Sequence, residues 1–270
     1  NILRGVYSHG FEKPSSIQEK SIPIILSGKD VIAQAQSGTG KTGAFSIGNL
    51  CRIDETKCSI QSLIIVPTRE LADQVFKVIS DLSSYTKITV LKVIGGTNVS
   101  ECRSELNKNP HIVVGTPGRI LDMIDRRDLP TIDIKILTFD EADEILSHGF
   151  KECIHDIIQR VDKTTQICLF SATLPDEILE LTDKFMNKPE RVLVKKEALT
   201  LEGIQQFYVN VKHNDWKYGV ITDLYDTINV GQCIIYLNSK NKIEEIYDKL
   251  NRDNFPLGYI TGDRSGHERN

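Results

Sequence analysis

The chain has 270 residues, of which 40% are hydrophobic and 26% are charged, and its formal net charge is -4. This composition excludes a wholly disordered protein, a collagen and a coiled coil, and the charge excludes a strongly basic, histone-like nucleic-acid binder. The six cysteines form no C-x-x-C pair and no zinc-site spacing, which indicates a reducing compartment. No apolar run is long enough to span a bilayer, so we expect no membrane segment.

Short apolar runs alternate with helix-length segments along the first part of the chain. The helix-length segments include 41–51, 69–82 and 143–160. The apolar runs are rich in Val and Ile, and they predict buried strands at 31–35, 63–66, 88–94, 112–114, 134–139, 167–170 and 192–194. This alternation predicts an α/β fold with a doubly wound parallel sheet.

A polar stretch at 195–203 predicts a boundary between two domains, 1–197 and 198–270. Beyond it, the pattern predicts strands and helices in the order of a second α/β lobe that is not completed. The strands are predicted at 204–211, 232–237 and 258–261, and the helices at 215–228 and 240–250. Because the chain also begins without Met, we expect it to be a fragment of a longer protein.

A glycine-rich segment lies between the first predicted strand and the first long predicted helix. Glycines let backbone N–H groups turn inward, and the helix that follows presents its positive end to an anion. Lys41 can then reach the outer phosphates, and Thr42 can offer a hydroxyl to Mg²⁺. The alternative is a simple turn before a helix. We predict a nucleotide-phosphate loop, formed by Ala35, Gln36, Ser37, Gly38, Thr39, Gly40, Lys41 and Thr42.

Three carboxylates follow the strand predicted at 134–139, namely Asp140, Glu141 and Asp143. Because ligands bind beyond the carboxyl ends of parallel strands, we expect Asp140 near the phosphate loop, where it would bind Mg²⁺. Glu141 would then orient and deprotonate a water for hydrolysis. The alternative is the acidic first turn of a helix, which the helix dipole favours.

The sequence Asp-Glu-Ala-Asp at 140–143 resembles the motif that names the DEAD-box RNA helicases. Further segments of the chain resemble other motifs of that family and follow in the family's order. They are 10–18, 67–72, 95–96, 116–119, 171–173 and 234–238. Within this family, the segments 199–208, 216–217 and 223–227 resemble the eukaryotic translation initiation factor 4A group in particular. That group includes a nuclear paralogue that belongs to the exon-junction complex. The resemblance implies two RecA-like lobes and an RNA-dependent ATPase that uses ATP and Mg²⁺ to unwind RNA locally.

The resemblance also implies roles for single residues. Phe11 would pack on adenine and Gln18 would hydrogen-bond its edges. Asp143 would pair with two hydroxyls to couple hydrolysis to unwinding, so that the catalytic residues would be Lys41, Asp140, Glu141, Ser171 and Thr173. RNA would be bound through phosphates and 2′-hydroxyls, without base reading, by Thr68, Arg69, Gly95, Gly96, Thr116, Gly118, Arg119 and, in the second lobe, Asn238.

Some of these residues and motifs have a simpler interpretation when they are taken alone. Phe11 would be a core aromatic and Gln18 a solvated helix residue. Residues 171–173 would cap a helix, and 95–96 would form a tight turn. A different phosphate-loop enzyme, such as a small-molecule kinase, would account for the loop and the acidic residues but not for the other motifs.

The match to the family is incomplete in the second lobe. Two of the family's elements are absent before Asn270, and one of them supplies arginines that stabilise charge on the transferred phosphoryl group. Gly266 stands where the family has Gln, whereas Arg269 matches. We therefore expect the chain to bind ATP, Mg²⁺ and RNA through its first lobe and to have little unwinding activity.

For the natural full-length protein we expect a monomer with RNA and a translation-initiation scaffold protein as partners. Its expected location is the cytoplasm, or the nucleus if it is the exon-junction paralogue. The alternative function is an ATP-gated RNA clamp that holds RNA and partner proteins without processive unwinding. A DNA substrate is a further alternative, because only contacts with 2′-hydroxyls distinguish RNA from DNA.

Overall fold

The computed structural model describes residues 1–193, 205–228 and 231–262. The chain divides into two compact units, Asn1–Glu202 and Gly203–Asn270. The domain boundary predicted at 195–203 lies outside the described residues, as do Gly266 and Arg269. Within the described ranges, no helix is both long and apolar enough to cross a membrane.

A parallel sheet of seven strands forms the centre of the first unit, and all seven predicted strands are confirmed. Their bounds are β1 Val31–Gln34, β2 Ser62–Ile65, β3 Val90–Val93, β4 Ile112–Gly115, β5 Ile136–Phe139, β6 Gln166–Ser171 and β7 Glu190–Leu193. The strands are arranged in the order β3-β4-β2-β5-β6-β1-β7. β2, β4, β5 and β6 are buried along their whole length, which explains why their sequences are continuously apolar.

Helices cover both faces of this sheet. They are α1 Ile2–Ser8, α2 Ser16–Ser27, α3 Lys41–Arg52, α4 Arg69–Ser83, α5 Val99–Leu106, α6 Pro117–Asp125, α7 Ala142–Ser147, α8 Lys151–Arg160 and α9 Asp176–Phe185. Because side chains alternate along a strand, Ile32 belongs to one apolar cluster while Val31 and Ala33 belong to the other. The two clusters lie on opposite faces of the sheet. Apolar side chains of α1–α4 pack in the cluster that contains Val31, and those of α5–α9 pack in the cluster that contains Ile32. This is the predicted doubly wound architecture.

The single helix predicted over 143–160 is wrong, because the structure has two helices there. α7 ends at Ser147 and α8 begins at Lys151. Gly149 lies between them with a φ of +81°, a left-handed conformation that glycine adopts without strain. The apolar periodicity continues through this position, so the sequence pattern did not indicate the break.

The described residues of the second unit form two α-helices, which confirms both helices predicted for it. α10 spans Lys217–Thr227 and α11 spans Lys240–Arg252. The first follows a 3₁₀ turn at Asn214–Trp216, so the predicted start at residue 215 falls in that turn rather than in the α-helix.

The strands predicted for the second unit are wrong within the described residues. The runs 205–211, 232–237 and 258–261 form no strand; residue 204 lies outside the described part of the chain. A strand needs hydrogen bonds from a neighbouring strand, and these runs have none there. Their apolar side chains are consequently exposed, as at Tyr208 and Tyr236.

Candidate functional site

Apart from Phe11 and Gln18, the predicted site residues of the first unit lie at or beyond the carboxyl ends of strands. The phosphate loop follows β1, and the acidic residues follow β5. The segment 171–173 begins at the last residue of β6, and the predicted RNA-binding residues follow β2, β3 and β4. Because the strands are parallel, these segments share one edge of the sheet.

The phosphate loop connects β1 to the first turn of α3. Gly38 and Gly40 have left-handed φ angles of +81° and +96°, which glycine adopts without strain. Thr39 Oγ1 donates a hydrogen bond to the Gln36 carbonyl oxygen at 2.6 Å and closes the turn. Lys41 opens the helix with its side chain only 4% exposed. The loop therefore places a helix N-terminus and a buried ammonium group together, an arrangement suited to bound phosphate.

The acidic strand end reaches the phosphate loop directly. Lys41 Nζ lies 3.1 Å from Glu141 Oε1, although 100 positions separate the two residues. Glu141 has a φ of +51°, which is unusual for a residue with a side chain. The backbone N–H of Glu141 donates to Asp140 Oδ1 at 3.1 Å. The expectation that Asp140 and Glu141 lie near the loop is thus met by the geometry.

The Asp140 carboxyl is almost completely buried. Burial raises the pKa of Asp140 to about 7; the positive charge of Lys41 opposes this rise and the negative charge of Glu141 adds to it. A buried carboxylate of this kind is stabilised by a nearby cation, which fits a divalent metal ion. Among the described residues, no group of three His, Cys, Asp or Glu could hold a metal by itself. A metal here would therefore need oxygens from a hydroxyl, phosphate or water.

Asp143 is bonded to the segment that follows β6. Its Oδ2 accepts hydrogen bonds from Thr173 Oγ1 at 2.7 Å and from Thr173 N at 3.0 Å, and its own N–H donates to Ser171 Oγ at 3.2 Å. Burial opposes ionisation, but the hydrogen bonds from Thr173 and Ser171 outweigh it and lower the pKa of Asp143. The N-cap position of α9 is occupied by Pro175, so these hydroxyls serve Asp143 rather than a helix cap.

One residue that joins these segments was not predicted. Gln34, the last residue of β1, donates from Nε2 to the Ala172 carbonyl oxygen at 3.2 Å. The segment 171–173 is therefore bonded to Asp143 and also to the strand that leads into the phosphate loop. A polar side chain at the end of an otherwise apolar strand is the only sequence signal for this contact.

Phe11 and Gln18 lie against the beginning of α3. Gln18 is only 6% exposed; its Oε1 accepts from Ser15 N at 2.9 Å and its Nε2 donates to the Gly40 carbonyl oxygen at 3.2 Å. The alternative interpretation of Gln18 as a solvated helix residue is therefore wrong. The Phe11 ring is half-buried and approaches Gly43 so closely that a Cβ there would lie 3.1 Å from Phe11 Cε2. Both residues thus adjoin the phosphate loop.

Two guanidinium groups flank the glycine pair that follows β3. Arg69 covers Gly96, where a Cβ would lie 2.5 Å from Arg69 Nη1, and Gly96 has a φ of +84°. Arg119 Nη1 donates to the carbonyl oxygen and to Oγ1 of Thr97, both at 3.1 Å. The backbone of Gly95 and Gly96 forms a tight turn, as expected if the pair is considered alone. Arg69 and Arg119 place two positive charges beside this turn.

The other predicted RNA-binding residues begin helices or lie in the second unit. Thr68 caps α4 by accepting a hydrogen bond from Leu71 N at 3.1 Å. Thr116 occupies the N-cap position of α6 without such a bond, and Gly118 lies in the first turn of that helix. Asn238 is exposed and lies two residues before α11 of the second unit. Thr97, which contacts Arg119, was not predicted, because it belongs to no motif that the sequence singles out.

The chain resembles known proteins over nearly its whole length. The model of the DEAD/DEAH box helicase family matches residues 15–181. "ATP-dependent RNA helicase eIF4A" of Eremothecium gossypii is 52% identical over 262 residues, which are 97% of this chain and 66% of that protein. "Eukaryotic initiation factor 4A" of Caenorhabditis elegans is 47% identical over 268 residues, 99% of this chain and 67% of that protein. The chain therefore spans about two thirds of the length of these relatives.

Solved structures resemble the chain as well. Dbp5 of S. cerevisiae, bound to RNA and ADP BeF3, is 33% identical with a TM-score of 0.87, covering 99% of this chain and 68% of that one. A DEAD box protein from the hyperthermophile Methanococcus jannaschii is 35% identical with a TM-score of 0.70, covering 100% of this chain and 72% of that one. Both support the RecA-like fold that the sequence predicts.

Proposed function

We propose a function from one premise: the chain belongs to the DEAD/DEAH box helicase family. Its first unit is the ATP-binding core of an ATP-dependent RNA helicase similar to initiation factor 4A, which hydrolyses ATP to ADP and phosphate when RNA is bound. The observation that carries the proposal is the 3.1 Å contact between Lys41 and Glu141, which joins the phosphate loop to the acidic strand end. We assign 1–197 to the ATP-binding lobe and 198–270 to part of a second lobe.

ATP is bound by the phosphate loop, Phe11 and Gln18. The left-handed glycines and the N-terminus of α3 favour bound phosphate, and Lys41 adds a buried positive charge. Phe11 packs beside the same turn of α3, where its ring can contact adenine. Gln18 Oε1 and Nε2 each have capacity for one further hydrogen bond, so the amide can bind the adenine edge while it keeps both backbone partners.

Hydrolysis uses the residues at the end of β5. Thr42 and Asp140 would hold Mg²⁺, which when bound supplies positive charge to the phosphate oxygens. The burial of the Asp140 carboxyl supports this assignment, since a buried carboxylate gains most from a neighbouring cation. When phosphate takes the place of Glu141 beside Lys41, the Glu141 carboxylate is free to orient a water and accept its proton.

Ser171 and Thr173 connect this chemistry to RNA. Asp143 is three residues beyond Asp140 and is hydrogen-bonded to both hydroxyl residues, so a shift of the acidic segment on hydrolysis moves the segment 171–173 with it. RNA is bound at the same sheet edge by Thr68, Arg69, Gly95, Gly96, Thr116, Gly118 and Arg119. Asn238 is a further RNA-binding residue that the family resemblance implies for the second unit. Hydroxyls, glycines and two guanidinium groups suit contacts with the sugar–phosphate backbone, so binding is independent of base sequence.

The names of the relatives support a place in translation initiation. We accordingly propose that the natural protein acts in the cytoplasm as a monomer and has an initiation scaffold protein as a partner. Local RNA unwinding is the activity that distinguishes this role from that of an ATP-gated RNA clamp.

The test is ATP turnover by the natural full-length protein, measured with and without single-stranded RNA. We expect RNA to raise the turnover rate and single-stranded DNA of the same length to have a much smaller effect, because DNA lacks the 2′-hydroxyls. Turnover that RNA does not change would contradict the proposal and favour another phosphate-loop enzyme. RNA retention on an ATP analogue without strand separation on ATP would identify a clamp.

A further inference from the structure

The ring of Phe11 is held from two sides at the first turn of α3. On one side it approaches Gly43, two residues beyond Lys41. On the other side it meets the imidazole of His9, with ring centroids 4.8 Å apart and ring planes at 75°. This is the edge-to-face arrangement that aromatic pairs favour. The position of the Phe11 ring therefore depends on His9 as well as on the helix.

His9 is itself fixed by two helices. Its backbone N–H donates to the Gly5 carbonyl oxygen at 2.9 Å, which ends α1, and its Nδ1 lies 3.3 Å from Asp81 Oδ2 on α4. The backbone N–H of Phe11 donates to the Val6 carbonyl oxygen at 3.1 Å, so both residues are anchored to α1. The imidazole thus lies between Asp81 of α4 and the Phe11 ring.

We propose that His9 is a positioning residue of the adenine site. Its ring holds the half-buried Phe11 ring in one orientation, in which the base can pack on it. Without this contact the Phe11 ring would populate other rotamers in the free protein, and binding of the base would have to order it. The role proposed for His9 is indirect, through its contact with Phe11, and no motif of the sequence marks it. The inference rests on the proposed function, because it presupposes ATP at the phosphate loop.

The experiment measures the dissociation constants of ATP and of inorganic triphosphate for the 270-residue chain in the presence of Mg²⁺. Edge-to-face contacts of this kind correspond to roughly a two- to tenfold change in an equilibrium constant. We expect His9→Ala to weaken ATP binding by that factor and to leave triphosphate binding unchanged, because triphosphate has no base. His9→Phe keeps an aromatic edge against Phe11 and should restore ATP binding.

The chain offers a matched control at His155. This residue makes the same kind of edge-to-face contact with Phe185, at 4.9 Å and 80°, where α8 and α9 lie together. His155→Ala should therefore bind ATP as the unchanged chain does. Thermal unfolding of all variants shows whether they are folded.

Three results would overturn the inference. One is an ATP affinity of His9→Ala equal to that of the unchanged chain. Another is an equal loss of ATP and triphosphate affinity, which would indicate a general disturbance of the phosphate loop. The third is a failure of His9→Phe to restore binding. If the unchanged chain binds neither compound, the proposed function itself has failed.

Discussion

At the scale of single residues, the centre of the site is a group of charged side chains whose burial and backbone conformation are energetically unfavourable. Asp140 and Lys41 are buried, and Glu141 adopts a left-handed backbone conformation that costs a non-glycine residue about 1–2 kcal/mol. The contacts of Glu141 with Lys41 and with the Asp140 carboxylate offset part of that cost. Backbone strain of this kind is common at functional sites, in agreement with the catalytic role proposed for Glu141.

The hydroxyl of Thr173 gives a prediction at the same scale. Thr173→Val keeps the shape of the side chain but removes the 2.7 Å hydrogen bond to Asp143. We expect it to lower the free energy of unfolding by about 1 kcal/mol at neutral pH, the net contribution of a typical hydrogen bond, because this bond is exposed to solvent. In the full-length protein it should reduce unwinding more than ATP turnover. Urea unfolding and the two activity assays check these outcomes.

The difference in free energy of unfolding between Thr173→Val and the unchanged chain should become smaller as the pH falls. The hydrogen bonds lower the pKa of Asp143 in the folded chain, so its contribution to stability is present above the ordinary aspartate pKa of about 3.9. It is lost as the pH falls through the lowered value. The unfolding midpoints of Thr173→Val and the unchanged chain should therefore converge in acid. A gap that stays constant with pH would contradict the assigned ion–hydroxyl contact.

A matched variant separates the roles of two similar hydrogen bonds. Thr164 Oγ1 donates to Asp162 at 2.6 Å in an exposed turn between α8 and β6. Thr164→Val removes the same kind of bond but should leave the ratio of unwinding to ATP turnover unchanged. A change in that ratio equal to the one in Thr173→Val would show that the effect is not specific to the site.

Motif residues could be predicted from the sequence, whereas the residues that support them could not. Lys41, Asp140 and Glu141 belong to short patterns with a chemical reason for each residue type. Gln34 acts through a contact between distant segments, and His9, which contacts Phe11 two residues away, lies beside Asp81 of the distant α4. No local pattern encodes either arrangement. The contact of Gln34 with Ala172, for example, depends on β1 and β6 being neighbours in the sheet.

At the scale of elements, the sequence predicted the sheet because buried parallel strands have a distinctive composition. β2, β4, β5 and β6 are covered on both faces, so their apolar runs are continuous. The same criterion failed in the second unit, where apolar runs lack neighbouring strands among the described residues. Apolar sequence indicates what can become a strand, whereas hydrogen-bonded partners decide whether it does.

The break between α7 and α8 gives a prediction at this scale. Gly149→Ala places a side chain at a φ of +81° and should lower the free energy of unfolding by about 1 kcal/mol. Apart from the two adjacent residues, no heavy atom of the described residues lies within 4 Å of the added Cβ, so the cost is one of backbone conformation rather than of packing. Chemical denaturation measures it.

Gly149→Asn is the control, because asparagine tolerates the left-handed conformation better than alanine does. We expect it to be more stable than Gly149→Ala. If alanine were as stable as glycine at this position, the chain could continue as a single helix, and the explanation of the break would be wrong.

At the scale of the whole molecule, the segments proposed to bind ATP and RNA share one edge of the sheet, and the net charge of the chain is -4. The predicted RNA contacts on the first unit include only two guanidinium groups, those of Arg69 and Arg119. The remaining predicted contacts are hydroxyls, amides and glycine backbone, which require no basic protein. A negative net charge is therefore compatible with RNA binding at this edge.

This distribution of charge predicts a weak dependence of RNA binding on salt. Two phosphate contacts made by cations correspond to a slope of about -1.4 in a plot of log K against log salt concentration for a single strand. Oligonucleotides of equal length and different sequence should bind with similar affinity. Fluorescence titrations over a range of KCl concentrations check both outcomes. A slope steeper than about -4 would indicate a larger basic surface than the described residues provide.

The central claim is that this edge of the sheet binds ATP through the phosphate loop. Its most direct test is calorimetric titration of the 270-residue chain with ATP and Mg²⁺. We predict that the unchanged chain binds ATP and that Lys41→Ala weakens binding at least tenfold. Lys151→Ala, which removes a surface lysine paired with Glu180 at 3.3 Å, should leave it unchanged. Equal affinity of Lys41→Ala and the unchanged chain would contradict the account.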